Sequence, residues 1–236
     1  MRRLFLVVAL ISAPLEAHAA GMALRWNSCR GTANRNFACD RSTGSEVLVG
    51  TFSAPTTIDL SGVEVYMRIT TADGVIPAWW QMVNRGSCRQ TSITMMFDVS
   101  GETECDDPWM GQAAGGLGLY RIDGSNGVDL RMVMAVPRAA VQPIAGGRDY
   151  AAFRMIINHS RSSGPAACEG CSKPACITIE RMKLTTPVAR FNVELTSGLS
   201  GMGGAANVVT WQGGAPNCGA GAAKPSTWSD VKRRYK

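Results

Sequence analysis

Alternation of apolar and polar positions with a period of two runs through most of this chain, the mark of strands with one buried and one wet face. It is clearest at residues 63–69, where Val63, Val65, Met67 and Ile69 share one phase and Glu64, Tyr66 and Arg68 the other. Leu130, Met132, Met134 and Val136 alternate in the same way with Asp129, Arg131, Val133 and Ala135. Further strands are predicted at residues 46–52, 79–83, 93–99, 118–123, 150–158, 191–195 and 207–212. In residues 176–185 the phase slips, with Ile177 and Ile179 on one face and Met182 and Leu184 on the other. A bulge at Glu180 and Arg181 would keep all four inward. Asn126 followed by Gly127 suits a hairpin turn that needs positive φ.

About ten strands with Gly- and Pro-rich turns and little helical period predict an all-β fold. The expected architecture is an antiparallel two-sheet β-sandwich, jelly-roll-like, with disulfide-crosslinked loops. The end of the chain differs. Thr227 and Asp230 have the spacing of a helix cap, and Trp228, Val231 and Tyr235 share one helical face, which predicts a short helix at 226–235. The strand methionines fall on inward phases and suit flexible core packing.

Arg2 and Arg3, an apolar run at 4–15 and the small-x-small pattern Ala17-His18-Ala19 read as a signal peptide over 1–19. The apolar run is too short to span a bilayer. A single disulfide-rich sandwich domain is expected over 20–236, secreted to an extracellular or periplasmic space. All eight cysteines (Cys29, Cys39, Cys88, Cys105, Cys168, Cys171, Cys176 and Cys218) lie beyond residue 19. An even number in an exported chain predicts disulfides. Proximity along the sequence pairs Cys29 with Cys39 and Cys88 with Cys105, and leaves Cys218 to clamp the cluster at 168–176. A zinc site would want a second CxxC knuckle, which is absent.

The formal charge of +6 is mild. The one basic cluster is Lys232, Arg233, Arg234 and Lys236, without the stripe of interleaved aromatics that a nucleic-acid binder shows. His159 is the only histidine past residue 19, which excludes a His-rich metal site, and no Gly-x-Ser-x-Gly elbow accompanies it. The glycine run at 201–206 lacks the βαβ context of a dinucleotide site.

The most chemically suggestive stretch is acidic: Glu102, Glu104, Asp106 and Asp107. Two such carboxylates can serve as acid and base on a glycoside, or several oxygens can hold Ca²⁺. No other cofactor is implied. Trp109 stands beside them as a surface on which a sugar could stack. Adjacent Trp79 and Trp80, if in a strand, point to opposite faces, so Trp80 is a second candidate for an exposed aromatic.

Residues 168–177 (CEGCSKPACI), 209–214 (VTWQGG), Cys218 and 226–236 (STWSDVKRRYK) resemble exported bacterial proteins with a C-terminal cysteine cluster and a Trp-containing basic tail. The resemblance covers the last third of the chain and implies no activity, so no functional residue is carried over. The sequence therefore reads as a secreted, non-catalytic structural or adhesive module that acts on other protein chains, including copies of itself. The alternative is a glycan-binding module, Ca²⁺-stabilised through the acidic loop. A glycoside hydrolase comes third.

Overall fold

The strongest alternations become the central strands. In the computed structural model, which describes residues 20–71, 75–123, 127–200 and 206–213, Val63, Val65, Met67 and Ile69 are buried along β5 (Gly62–Thr71). Val128, Leu130, Met132 and Met134 face the same core from β8 (Gly127–Ala135). The other strands are β1 (Gly21–Trp26), β2 (Asn34–Arg35), β3 (Ser45–Ser53), β4 (Ile58–Leu60), β6 (Ile93–Met96), β7 (Ala114–Ile122), β9 (Gln142–Ile144), β10 (Tyr150–Asn158), β11 (Ala175–Thr185), β12 (Val193–Leu195) and β13 (Val208–Trp211).

They form a two-sheet sandwich. The smaller sheet runs β1-β3-β10-β6, and the larger runs β2-β13-β11-β5-β8-β7 with β12 added beside β11. All pairings in these sheets are antiparallel except β13 with β2. A separate ribbon pairs β4 with β9. The outer face of the large sheet carries an ion-pair lattice, in which Arg68 and Arg121 meet Asp129 while Arg131 reaches Glu64.

The bulge in β11 lies where the phase slip placed it. Its pairing with β5 skips between Ile179 and Arg181, which brings Met182 opposite Val65 and Leu184 opposite Val63. Asn207 completes the distorted site: its carbonyl accepts from Ile179 N at 2.9 Å, and its Nδ2 donates to Ile179 O at 2.9 Å. Buried backbone groups freed by a bulge need such partners.

One flank of the sandwich is closed and the other is open. On the closed side Leu24 N donates to Ala206 O, and the next residue, Asn207, bonds to β11, so residues 206 and 207 stitch the two sheets together. The chain at 197–199 also bonds along β1 through Met22. On the open side lie the edges β6 and β7, and neither has an outer partner strand among the described residues.

Two expectations are corrected here. Residues 79–83 are not a strand: Ala78–Trp80 is a 3-10 turn after Pro77, and both indoles are buried at 0 % exposure. Pro77 starts the turn with its ring-fixed φ, and the side chains of a 3-10 turn do not alternate between two faces. The disulfide pairing also differs: Cys29 joins Cys105, Cys39 joins Cys171, and Cys88 joins Cys168. Distances along the chain misled because antiparallel packing brings remote loops together. Cys176 is disulfide-bonded as well, whereas Cys218, the predicted signal peptide at 1–19 and the predicted helix at 226–235 lie outside the described residues.

Candidate functional site

The cysteine loop and the tryptophans form one buried knot. Cys168 and Cys171 pull residues 168–171 onto the core, where Trp79 N donates to Glu169 O at 2.8 Å and Trp211 Nε1 to Cys171 O at 2.6 Å. Gly170 is required there: its φ is +113°, and an added Cβ would sit 2.3 Å from Pro77 Cβ. Below it Trp211 packs against Phe37 (4.1 Å between centroids), Trp79 (4.7 Å) and Trp80 (5.5 Å). Trp26 meets Phe37 edge-on at 4.8 Å.

A charge sits inside this knot. Arg89, 1 % exposed, donates to three main-chain carbonyls: Ser160 O at 2.9 Å, Trp79 O at 2.7 Å and Asn158 O. Its guanidinium lies 3.6 Å from the Trp79 ring centroid, a cation–π contact in a desolvated place. Burial pushes its pKa down to about 9, so it is still charged at neutral pH. His159 lies close by, with Nε2 3.0 Å from Glu46 Oε1. No hydrogen bond links its ring to a hydroxyl or thiol among the described residues. Both residues are fasteners of the fold.

The expected sugar-stacking surfaces are absent, for the same reason. Trp80 belongs to the knot, and Trp109 is 2 % exposed with Nε1 donating to Ala152 O at 2.8 Å. Asp107 is what turns Trp109 inward: its Oδ1 accepts from the backbone N–H of Trp109 and Met110 at 2.8 and 3.2 Å. This local side-chain-to-backbone turn is a common use of Asp in loops.

The acidic loop divides its charges. Glu102 has a 3 % exposed side chain and pairs with Arg154 at 3.1 Å. Glu104 accepts from Arg30 N at 3.0 Å, and Asp106 pairs with Arg148 at 2.8 Å. Among the described residues no three His, Cys, Asp or Glu side chains converge as a metal site. Glu104 and Asp106 do line an open polar cleft of about 500 Å³, together with Thr103, Arg30, Arg148 and Asp149. Sequence reading found its acidic wall and missed Arg30, Arg148 and Asp149, which reach the cleft from other loops. The Cys29–Cys105 bond joins the two sides.

Glu104 gives the cleft a pH response. A hydrogen bond from the Ser28 hydroxyl, then one from Arg30 N, holds its carboxyl below the usual range. The strap between these loops is therefore complete above the unfolded-state pKa and is lost as pH falls through the lower folded value. A carboxyl NMR titration should show a midpoint for Glu104 below that of an unstructured glutamate. Equal midpoints would contradict the strap.

The open edge is the remaining feature. β7 contains Gly115, Gly116 and Gly118 and carries neither proline nor lysine. Its inward row, Leu117, Tyr120 and Ile122, packs against the core and is only partly buried, as are Ile93 and Met95 on β6. Tyr120 is anchored from within: Met82 N donates to its hydroxyl at 3.3 Å, and the hydroxyl donates to Trp80 O.

No protein-family model matches the chain, and no curated protein matches it. Among solved structures it is similar to the second type II cohesin module from the cellulosomal adaptor ScaA scaffoldin of Acetivibrio cellulolyticus. The identity is 10 %, with 76 % of this chain and 90 % of that one covered and a TM-score of 0.35. It is also similar to "the unique CBM3-" of Hungateiclostridium clariflavum, at 11 % identity over 68 % of this chain and 93 % of that one, with a TM-score of 0.27.

Proposed function

We propose that this protein is an extracellular, non-catalytic module that works by assembling with other polypeptides at its open flank. One observation carries the reading: the nine-residue edge β7 has no outer partner among the described residues. Exposed strand edges template pairing with another chain, and natural proteins guard them with lysine, proline or short length. β7 carries neither lysine nor proline and is nine residues long; its bulge between Leu117 and Leu119 and the charge of Arg121 confine the unguarded stretch to the few residues around Tyr120. A disulfide-rich sandwich fits an oxidising compartment. Among the described residues no helix is long and apolar enough to cross a membrane.

The test is amide NMR with a panel of strand-forming peptides. Peptides should shift the β7 amides, and Gly116→Lys with Leu119→Lys should abolish the shifts while leaving the remaining spectrum folded. A Cβ added at Gly116 meets no atom within 4 Å, so a side chain can leave the backbone there without a clash. Peptide shifts that avoid β7, or that survive both lysines, would sink the reading.

The polar cleft supports a second reading as a glycan site. Carboxylates and guanidinium groups around a 500 Å³ hollow suit sugar hydroxyls, although no tryptophan among the described residues lines it. A glycan array without hits removes this reading and leaves the first untouched.

A further inference from the structure

We infer that the polar cleft takes a neutral glycan and reads it through pairs of adjacent hydroxyls, each pair set against one guanidinium and one carboxylate. The inference rests on the glycan reading of the cleft above and adds the class of ligand and the groups that recognise it.

The cleft is a fixed frame with exposed charges. Arg148 and Asp149 stand on one loop, Asp106 on a second and Arg30 on a third, and all four line the hollow. The main chain around them is fastened: Gly147 N donates to Ala54 O, Asp106 N to Asp149 O and Ala151 N to Asp106 O, each at 2.9 Å. Cys29–Cys105 ties the Arg30 loop to the Asp106 loop. The charged side chains are by contrast open to solvent, Arg30 at 64 % and Arg148 at 63 %. A main chain already held in place lowers the ordering cost that a ligand meets.

These side chains are only partly engaged among the described residues. Arg148 meets Asp106 through Nε at 2.8 Å, and the Nη groups of a guanidinium are further donors. Arg30 Nη2 stands 4.0 Å from Asp149 Oδ2, too far for a hydrogen bond. Exposed ion pairs of this kind add little to stability. Each does set N–H donors beside a carboxylate acceptor. Two hydroxyls on adjacent carbons satisfy such a pair, one accepting from the guanidinium and the other donating to the carboxylate. Both are charge-assisted hydrogen bonds.

Charge selects the class of ligand. The lining holds two guanidiniums, Arg30 and Arg148, against three carboxylates, Glu104, Asp106 and Asp149. An anionic ligand meets the carboxylate excess, and a cationic one has to displace the arginines from Asp106 and Asp149. A neutral polyol meets neither obstacle, because a hydroxyl both donates and accepts. Two ion pairs around about 500 Å³ suit a short oligosaccharide.

Amide NMR and calorimetric titration of the full chain test this with three kinds of probe. The first are methyl glycosides of neutral 1,4-linked trisaccharides of glucose, mannose and galactose. The second is the matching trigalacturonate. The third are the neutral set after periodate has cleaved their adjacent diols and borohydride has reduced the products. At least one neutral trisaccharide should shift the amides of Arg30, Arg148 and Asp149. The trigalacturonate and the cleaved forms should bind at least tenfold more weakly. Arg148→Met and Asp149→Ala should each weaken the neutral ligand about tenfold. A trigalacturonate that binds as well as its neutral counterpart, or cleaved forms that bind undiminished, overturns the inference and leaves a glycan in the cleft. These comparisons use the wild type alone, so they hold whatever the variants do to the fold. Cleft amides that respond to no trisaccharide, neutral or acidic, lose the glycan reading as well.

Discussion

Arg89→Ala should destabilise the protein by about 4–5 kcal/mol, among the largest effects of any single substitution. The side chain satisfies Ser160 O, Trp79 O and Asn158 O at once and stacks on Trp79. Truncation leaves three carbonyls, one buried and two partly buried, without this donor and opens a void beside the tryptophans. For a domain of this size that corresponds to a fall in Tm of roughly 10–15 °C. Arg89→Lys keeps the charge and loses the planar fork that reaches three acceptors, so it should recover only part of the loss. Arg89→Met, of similar length and no charge, should resemble Ala, because the carbonyls stay unmet. Thermal denaturation of the three variants checks this, and a Met variant as stable as the wild type would show that those carbonyls find other donors.

Removing the bridge between Cys88 and Cys168 by paired alanines should cost roughly 4–5 kcal/mol through the chain entropy of its 80-residue separation. Cys39–Cys171 spans 132 residues and should cost slightly more. Cys29–Cys105, at 76, should cost nearly as much as Cys88–Cys168 if entropy alone decides. The structure adds a difference in location. Losing Cys88–Cys168 also frees the loop whose Glu169 O and Gly170 fix Trp79 and Pro77. Tryptophan fluorescence should therefore shift to the red in that variant and stay unchanged when Cys29–Cys105 is removed. Equal fluorescence changes in both would show that the 168–171 loop does not position the aromatic knot.

What the sequence revealed followed from how evenly burial was divided between strand faces. β5 and β8 have one dry and one charged face, so their alternation is plain, and a single phase slip located the β11 bulge. β1 gave no signal because all six of its residues are buried, its outer side covered by Leu199 and Ala206. Trp79 and Trp80 looked like a strand pair because adjacent aromatics are common there; Pro77 was the cue to a turn. The acidic loop stood out for its charge, and two of its carboxylates, Glu104 and Asp106, line a polar cleft, but Glu102 and Asp106 met arginines from distant loops instead of converging with the others. Arg89 carries no local signature, since a buried arginine reads like a surface one until its acceptors are seen. The glycines of β7 were the trace of its local geometry: Gly118 sits in the bulge, and Gly115 lies where a Cβ would meet Val133 O at 2.1 Å.

Hydrogen exchange at the amides of β7 measures the central claim most directly. Leu119 and Arg121, which with Asp123 alternate as the residues bonded to β8, should exchange slowly in every condition. Tyr120 and Ile122 should exchange fast in the protein alone and become protected when a strand-forming peptide is added. Rapid exchange of Tyr120 and Ile122 at saturating peptide would contradict the assembly of this sandwich through its open edge.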